Sequence, residues 1–357
     1  MKICFLGDAG SVHTRRWIEF FRDNGNEVHL ISFRNADIDG IKFYYMGDSI
    51  NINSDGGNQS YLKKVPSIKK IIKEIKPDII NAHYLTSYGF IGSLVKGKIP
   101  LVVSTWGTDI LVTPKKNIAY KLLTEFVLKK SDLITSDSDY MSKEILNLKA
   151  REERVLTVPM GVSLSEANIS NSKENRENLF LSMRTLCENS NVECILDAFK
   201  LVLEKYDDSK LIITNSGSSE EKILKYIKEL NIEDKVEFLG FINREKLFEL
   251  LNNGLSFISI PTSDSTSVTL LESMLCGALP IVSDLPANRE WIDNNVNGLI
   301  LSKFDSKELS KLMIKSIEDK ELIESSRKIN KKIIMDRAIW EDNMNLVLNS
   351  YKNIIKK

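Results

Sequence analysis

Cysteine is scarce in this chain. Cys4, Cys187, Cys194 and Cys276 are the only four in 357 residues, and no two form a C-x-x-C pair. A disulfide framework and a zinc site are therefore not expected, and a reducing, cytoplasmic setting is. The chain also lacks a charge of one sign, since Lys+Arg and Asp+Glu stand at 49 each. No overall field draws it to nucleic acid, so any liking for a charged ligand must come from local placement. Long apolar runs are missing too. None nears the roughly 20 residues needed to span a bilayer, so any membrane contact is expected to be peripheral. Met1–Gly7 resembles the apolar part of a secretion signal only briefly, because Asp8 interrupts it and no small-residue cleavage site follows. It reads better as a first buried strand. No convincing cluster of metal ligands is present.

What is present is enough apolar residue, 42%, to build two cores, and a length natural for two α/β domains. Short apolar runs alternate with amphipathic stretches from end to end, the pattern of parallel sheets covered by helices. Expected strands in the first half are Lys2–Leu6, Glu27–Ser32, Ile41–Tyr45, Ile79–Ala82, Leu101–Ser104, Leu133–Thr135 and Arg154–Val158, with helices at Thr14–Asn24 and Ser67–Ile75. Asp48–Ser60 reads as a loop and Ser163–Glu177 as a linker. A second series follows, with strands at Asn178–Ser182, Lys210–Thr214, Val236–Leu239, Leu255–Ile260, Leu279–Ser283 and Gly298–Ile300. Helices are expected at Val192–Tyr206, Ser219–Glu229, Arg244–Asn252, Val268–Cys276, Ala287–Asp293 and from Ser306 onward. The fold class is thus α/β, two tandem Rossmann-like doubly wound domains facing across a cleft. The expected domains are 1–165, joined by a C-terminal helix at 337–357, and 166–336. In such sheets ligands bind beyond the carboxyl ends of the strands, at the switch points.

Three segments in the first half stand at such places. Gly7-Asp8-Ala9-Gly10-Ser11 opens the first helix; it is either a tight turn or a backbone cradle for a ligand. It is not G-x-G-x-x-G, and strand 2 ends in Ser32-Phe33-Arg34 with no acid for a ribose, so a nicotinamide dinucleotide is not indicated. His13, Arg15 and Arg16 add polar groups. His83 ends a strand, as a donor to a hydroxyl or phosphate or as a satisfied structural histidine. Trp106-Gly107-Thr108-Asp109 ends the next: an exposed Trp can stack on a sugar and a carboxylate can orient hydroxyls, while Thr108 or Asp109 can also cap a helix.

The densest signal is Pro261 to Glu272. Small residues Ser265, Thr266 and Ser267 leave the backbone N–H groups of a helix start open to an anion. Asp264 precedes them, and Glu272 lies on that helix among Leu270, Leu271, Met274 and Leu275. A carboxylate on a helix otherwise packed into the core calls for a function.

These residues resemble the donor domain of GT-B glycosyltransferases, in particular the retaining family 4. Its strand–Glu-x7-Glu pattern, followed by Ala-Met-Ala-Cys-Gly-x-Pro-Val-Ile-x-Ser, is similar to Asp264 through Glu272-Ser273-Met274-Leu275-Cys276-Gly277-Ala278-Leu279-Pro280-Ile281-Val282-Ser283. Asn297–Ile300 and Val236–Gly240 match further segments. The first half joins in through the glycine loop, His83, Trp106–Asp109 and Pro159–Val162. The resemblance implies metal-independent transfer, with retention, from a nucleotide-sugar donor to a glycan or lipid-linked acceptor in cell-surface polysaccharide or glycoconjugate synthesis. It implies that Glu272 holds the donor ribose and Asp264 the transferred sugar. Arg184 would face the diphosphate together with the backbone of Thr266, Ser267, Val268 and Thr269, and Phe241 and Ile242 the base. Gly217 and Gly10 are assigned to the donor as well. Asp264, Asp109 and His83 are the expected catalytic residues, and His13, Arg15 and Trp106 the expected acceptor contacts.

Three positions depart from the family pattern. Asp264 replaces Glu, Asn189 replaces the Lys of Arg-x4-Lys, and Trp106 replaces the His of His-Gly-x-Asp. The lost cation would need Arg15, Arg16 or Arg244 as a substitute. A sugar-nucleotide epimerase and a non-catalytic nucleotide-sugar-binding subunit are the competing readings. Lysines 63, 64, 69, 70, 73 and 76 mingle with Ile68, Ile71, Ile72 and Ile75, and Lys115, Lys116, Lys121, Lys129 and Lys130 form a second basic stretch. They read either as solvated faces or as amphipathic surfaces resting on anionic lipid. The last helix is expected to pack back on the first domain, anchored by Trp340.

Overall fold

The computed structural model describes residues 1–47, 60–167 and 176–356. The expected loop Asp48–Ser60, apart from Ser60, and positions 168–175 of the expected linker lie outside them. The described chain divides into two compact units, Met1–Pro159 with Met344–Lys357, and Met160–Asn343.

The first unit holds β1 (Lys2–Leu6), α1 (Val12–Asp23), β2 (Glu27–Ser32), β3 (Lys42–Tyr45), α2 (Val65–Ile75), β4 (Ile79–His83), α3 (Phe90–Val95), β5 (Leu101–Ser104), α4 (Thr108–Leu111), α5 (Thr113–Lys116), α6 (Ile118–Lys130), β6 (Leu133–Ser136), α7 (Asp139–Asn147) and β7 (Val155–Thr157). The second holds β8 (Leu179–Ser182), α8 (Val192–Leu203), β9 (Lys210–Thr214), α9 (Glu220–Glu229), β10 (Val236–Gly240), α10 (Arg244–Asn253), β11 (Ser256–Ser259), α11 (Val268–Cys276), β12 (Leu279–Ser283), α12 (Pro286–Arg289), β13 (Leu299–Leu301), α13 (Ser306–Glu318) and α14 (Lys320–Arg337). Helix α15 (Trp340–Ile355) begins in the second unit and ends in the first.

Among the described residues the sheets run β3-β2-β1-β4-β5-β6-β7 and β10-β9-β8-β11-β12-β13. The pairs flanking both switch points are parallel. Strands β1, β4 and β5 are buried on both faces, as strands of a parallel sheet covered by helices are, and β4 carries the buried polar residues Asn81 and His83 at its carboxyl end. Each order reverses once, between β1 and β4 and between β8 and β11, and those reversals fix where a ligand crevice forms in each unit. Helix ends follow local chemistry. Ser11 caps α1 and Ser267 caps α11, each hydroxyl accepting the N–H of the residue three further on.

Two expectations need correction. Residues 160–165 and 337–343 belong to the second unit, not the first. Val162 and Ile339 form a parallel bridge, in which Val162 N–H donates to Ala338 O at 2.8 Å and Trp340 N–H to Val162 O at 3.0 Å. Gly161 permits this approach, because at φ +72° a Cβ there would stand 2.6 Å from Ala338 O. Trp340 is therefore tied to the second unit. The residue that seats α15 on the first is Tyr351, fully buried and stacked on Phe21 with ring centroids 4.9 Å apart.

Candidate functional site

At the switch point of the first sheet, β4 delivers His83 directly against α1. Its Nδ1 lies 3.2 Å from Thr14 Oγ1 and its Nε2 3.1 Å from Asn81 Oδ1. The Asn81 amide nitrogen is directed at Val102 O and Ser104 Oγ, so its oxygen faces the ring, and His83 donates from Nε2 and accepts at Nδ1. Burial lowers the pKa of His83 to about 3, which keeps it neutral at pH 7. Edge contacts with Phe5 and Trp17 complete its enclosure.

Beyond His83 the chain makes a wide π-helical turn, Tyr84–Gly89, entered with Tyr84 at φ +73°. Asp109 supports this turn. Its Oδ2 accepts Leu85 N–H at 2.8 Å and its Oδ1 accepts Trp106 N–H at 3.0 Å. Burial raises its pKa to about 6, and the backbone N–H groups oppose that rise. Gly107, at φ +99°, is the N-cap of α4, so neither Thr108 nor Asp109 fills that role. His83 and Asp109, both expected as catalytic residues, are buried and carry these hydrogen bonds to their own chain.

Of the acceptor candidates, His13 is exposed, while Trp106 is more enclosed than expected. Trp106 is half-buried, with His13 stacked on it at 5.0 Å and Trp17 edge-on at 6.2 Å. It is not a freely exposed ring. Arg15 Nε donates to Ala9 O at 2.8 Å, bracing the glycine loop, in which Gly10 N–H bonds Asp8 Oδ1 at 2.8 Å.

The second switch point is built differently. Arg184 follows β8, and Asp264 lies in the loop between β11 and α11. Arg184 Nη1 donates to Asp264 Oδ2 at 2.5 Å, and both side chains are about a fifth exposed. Arg184 Nε is buried with no protein partner among the described residues. A buried guanidinium N–H of this kind suits an anionic acceptor. Ser265 N–H bonds Asp264 Oδ1 at 3.0 Å, which turns the loop into α11. Thr266 Oγ1 accepts Trp291 Nε1–H at 3.2 Å, Ser267 caps the helix, and Val268 and Thr269 are half-buried at its first turn.

Sequence reasoning missed three partners here. Glu272, 1% exposed, pairs with Arg244 Nη2 at 2.6 Å, and the same nitrogen reaches Glu166 at 2.7 Å. Arg244 is therefore committed to two carboxylates and does not replace the lost Lys. Asn189, standing where that Lys would be, binds Ser263 reciprocally: Nδ2 donates to Ser263 O and Oδ1 accepts Ser263 N–H, each at 3.0 Å. Trp291, unlike Arg244 and Asn189, was not singled out at all. The departure from Arg-x4-Lys marks Asn189 in the sequence; the pairings themselves leave no local signal. Gly217 has a structural cause, since a Cβ there would meet Leu186 O at 2.2 Å. Phe241, directly after β10, is 79% exposed, while Ile242 packs on the core.

Two models of protein families match this chain in turn, "Glycosyl transferase 4-like" over residues 2–138 and "Glycosyl transferases group 1" over residues 165–333. N-acetyl-alpha-D-glucosaminyl L-malate synthase of Bacillus anthracis is 25% identical over 339 residues, covering 89% of this chain and 86% of that protein. N,N'-diacetylbacillosaminyl-diphospho-undecaprenol alpha-1,3-N-acetylgalactosaminyltransferase of Campylobacter jejuni is 24% identical over the full length of both. The crystal structure of HepE from Anabaena in complex with UDP-glucose has a TM-score of 0.81 at 16% identity, covering 99% of this chain and all of that one. Fold and motifs together define the two-sheet GT-B class. The chain belongs to the GT-B glycosyltransferases of the family 4 type. No helix among the described residues is long and apolar enough to cross a membrane.

Proposed function

We propose that this glycosyltransferase moves a sugar from a nucleoside-diphosphate sugar to a hydroxyl of a glycan or lipid-linked acceptor, with retention at the anomeric carbon and without a metal ion. The observation that carries the reading is Arg184: a guanidinium at the switch point with one edge on Asp264 and a buried Nε–H still available. A diphosphate can take that edge while Asp264 keeps the other, which brings the carboxylate beside the sugar. The N-terminus of α11 supplies backbone N–H groups and a favourable dipole for the same charge. Arg184 and that helix end together supply the positive field that a metal would provide in other transferases. Glu272 would accept the ribose hydroxyls, held in place by Arg244, and the exposed Phe241 ring would cover the base. The first unit would take the acceptor, with Trp106 and His13 presenting a stacked edge to it. The unpaired cysteines support a reducing, cytoplasmic setting.

The test is a thermal-shift screen against UDP-, GDP-, ADP- and CMP-sugars, with and without EDTA. The UDP-glucose in HepE makes UDP-sugars the first donors to try. We expect stabilisation that survives EDTA and disappears in Glu272→Ala, and slow donor hydrolysis that disappears in Asp264→Ala. No stabilisation by any nucleotide sugar overturns the reading. Asn189 favours one second reading, a subunit that binds nucleotide sugar without transferring it. Donor binding with no hydrolysis and no transfer would select that alternative.

A further inference from the structure

Helix α6 buries only part of its circumference. Thr124, Val127 and Leu128 face the core. On the opposite side Ile118, Leu122 and Phe126 are 69%, 57% and 38% exposed. Their spacing of four residues lines them up along one stripe of the helix. Phe126 meets Phe90 of α3 edge-on at 6.1 Å, and Leu94, one turn further along α3, is also exposed. Five apolar side chains thus extend across two adjacent helices.

Positive charge borders the stripe. Lys121, Lys129 and Lys130 are exposed, and Lys130 Nζ lies 5.9 Å from the Phe126 ring centroid. The carboxylates of this neighbourhood are already matched: Glu125 with Lys149 at 2.8 Å, Glu144 with Lys115 at 3.2 Å and Asp132 with Lys96 at 2.5 Å. The other basic helix, α2, differs. It turns Ile68, Ile72 and Ile75 into the core and shows solvent its lysines, so it offers charge without an apolar face.

We propose that α6, with the end of α3, is a docking surface for an anionic lipid bilayer. The helix lies flat in the interface, with Ile118, Leu122 and Phe126 among the upper acyl groups and Lys121, Lys129 and Lys130 at the phosphates. Charge complementarity selects this occupant. Lysine is depleted in the buried centre of protein interfaces, where its ammonium loses water without a matched partner. At a lipid surface the apolar stem follows the hydrocarbon and the head stays among anions. The proposal stands apart from the donor reading, because vesicle binding is measured with no transfer reaction.

The full-length chain is co-sedimented with vesicles of phosphatidylglycerol mixed with phosphatidylcholine, and with phosphatidylcholine alone, at low and high salt. We expect binding to the anionic vesicles that weakens with salt. The double variant Leu122→Glu/Phe126→Glu should lose at least about tenfold in partitioning while keeping its melting temperature, since both side chains already face solvent. Each of Lys121→Gln, Lys129→Gln and Lys130→Gln should cost about fivefold, and these variants test the idea even if the double variant folds poorly. Absence of binding, or binding indifferent to these changes, overturns the proposal. So does an equal loss from Lys69→Gln/Lys70→Gln/Lys73→Gln on α2, which would assign the attraction to charge alone. A concentration-dependent rise in mass that Leu122→Glu/Phe126→Glu abolishes, with no vesicle binding, would give the surface to a second copy instead.

Discussion

The two sheets share one strand order at their switch points, β1 against β4 and β8 against β11, so each unit places a crevice at the same topological address. The first is filled by the chain itself. His83 uses both ring nitrogens on Thr14 and Asn81, and Asp109 uses both oxygens on backbone N–H groups. The second is incompletely satisfied, with an ion pair about a fifth exposed and a buried guanidinium N–H that lacks a protein partner among the described residues. Topology therefore locates both crevices, while the hydrogen bonds made in them differ: the first is satisfied within the chain and the second leaves a buried donor over.

The largest effect should come from breaking the open side. Arg184→Ala removes the guanidinium proposed to meet the donor phosphates and should lower kcat/KM by about 10²–10³, the usual loss of one preorganised charge donor. The melting temperature of the protein alone should change little, because Asp264 keeps access to water. Steady-state kinetics beside a thermal melt check both halves. A large loss of stability with unchanged kcat/KM would reverse the comparison.

Breaking the closed side should do the opposite. Asp109→Ala leaves the N–H groups of Leu85 and Trp106 buried without their acceptor, at roughly 1–3 kcal/mol each. Urea unfolding should show this loss, while donor binding, measured by the nucleotide-induced melting shift, stays close to that of the parent.

Acidity gives a third contrast. The folded pKa of His83 is about 3, below its ordinary value of 6.5, so the unfolded chain binds the extra proton between these values. The stability that His83 contributes is present above about pH 6.5 and is lost as pH falls toward 3, by about 1.4 kcal/mol per pH unit. His83→Gln offers an amide donor and acceptor without a titrating group. It should flatten the stability profile between pH 6.5 and 5 by about 2 kcal/mol. Unfolding curves at several pH values would reveal the slope, and an unchanged slope would show that His83 is not held neutral.

Periodicity made much of this legible. Val268–Cys276 and Leu279–Ser283 were expected as a helix and a strand and occur with those bounds, because capping Ser267, closing Gly277 and the β-branched run are local features. The α/β class followed for the same reason. Partner choice was not legible. Arg184 reaches Asp264 across 80 residues and Asn189 reaches Ser263 across 74, and no spacing rule announces such pairs. The turn after β4 was missed because Tyr84-Leu-Thr-Ser-Tyr-Gly has no early glycine to warn that Tyr84 adopts a positive φ. The unit boundary was misplaced because the Val162–Ile339 bridge joins two segments remote in sequence.

Asn189 carries the smallest and most discriminating prediction. A lysine here would add charge toward a diphosphate, but it could not both donate to and accept from Ser263. Asn189 does both, and its carbonyl also accepts Thr262 N–H at 3.0 Å, while Asn191 Nδ2 holds Ile260 O at 2.8 Å. These contacts fix the loop that ends in Asp264, so Asn189 positions the carboxylate. Asn189→Ala should cost about 1 kcal/mol, seen as roughly a fivefold fall in kcat/KM. Asn189→Lys should tighten nucleoside-diphosphate binding yet slow transfer, since charge is gained while the loop is released. If the lysine variant instead bound more tightly and also turned over faster, the hydrogen bonds to Ser263 would be incidental. The second crevice would then be an ordinary phosphate clamp with one cation missing.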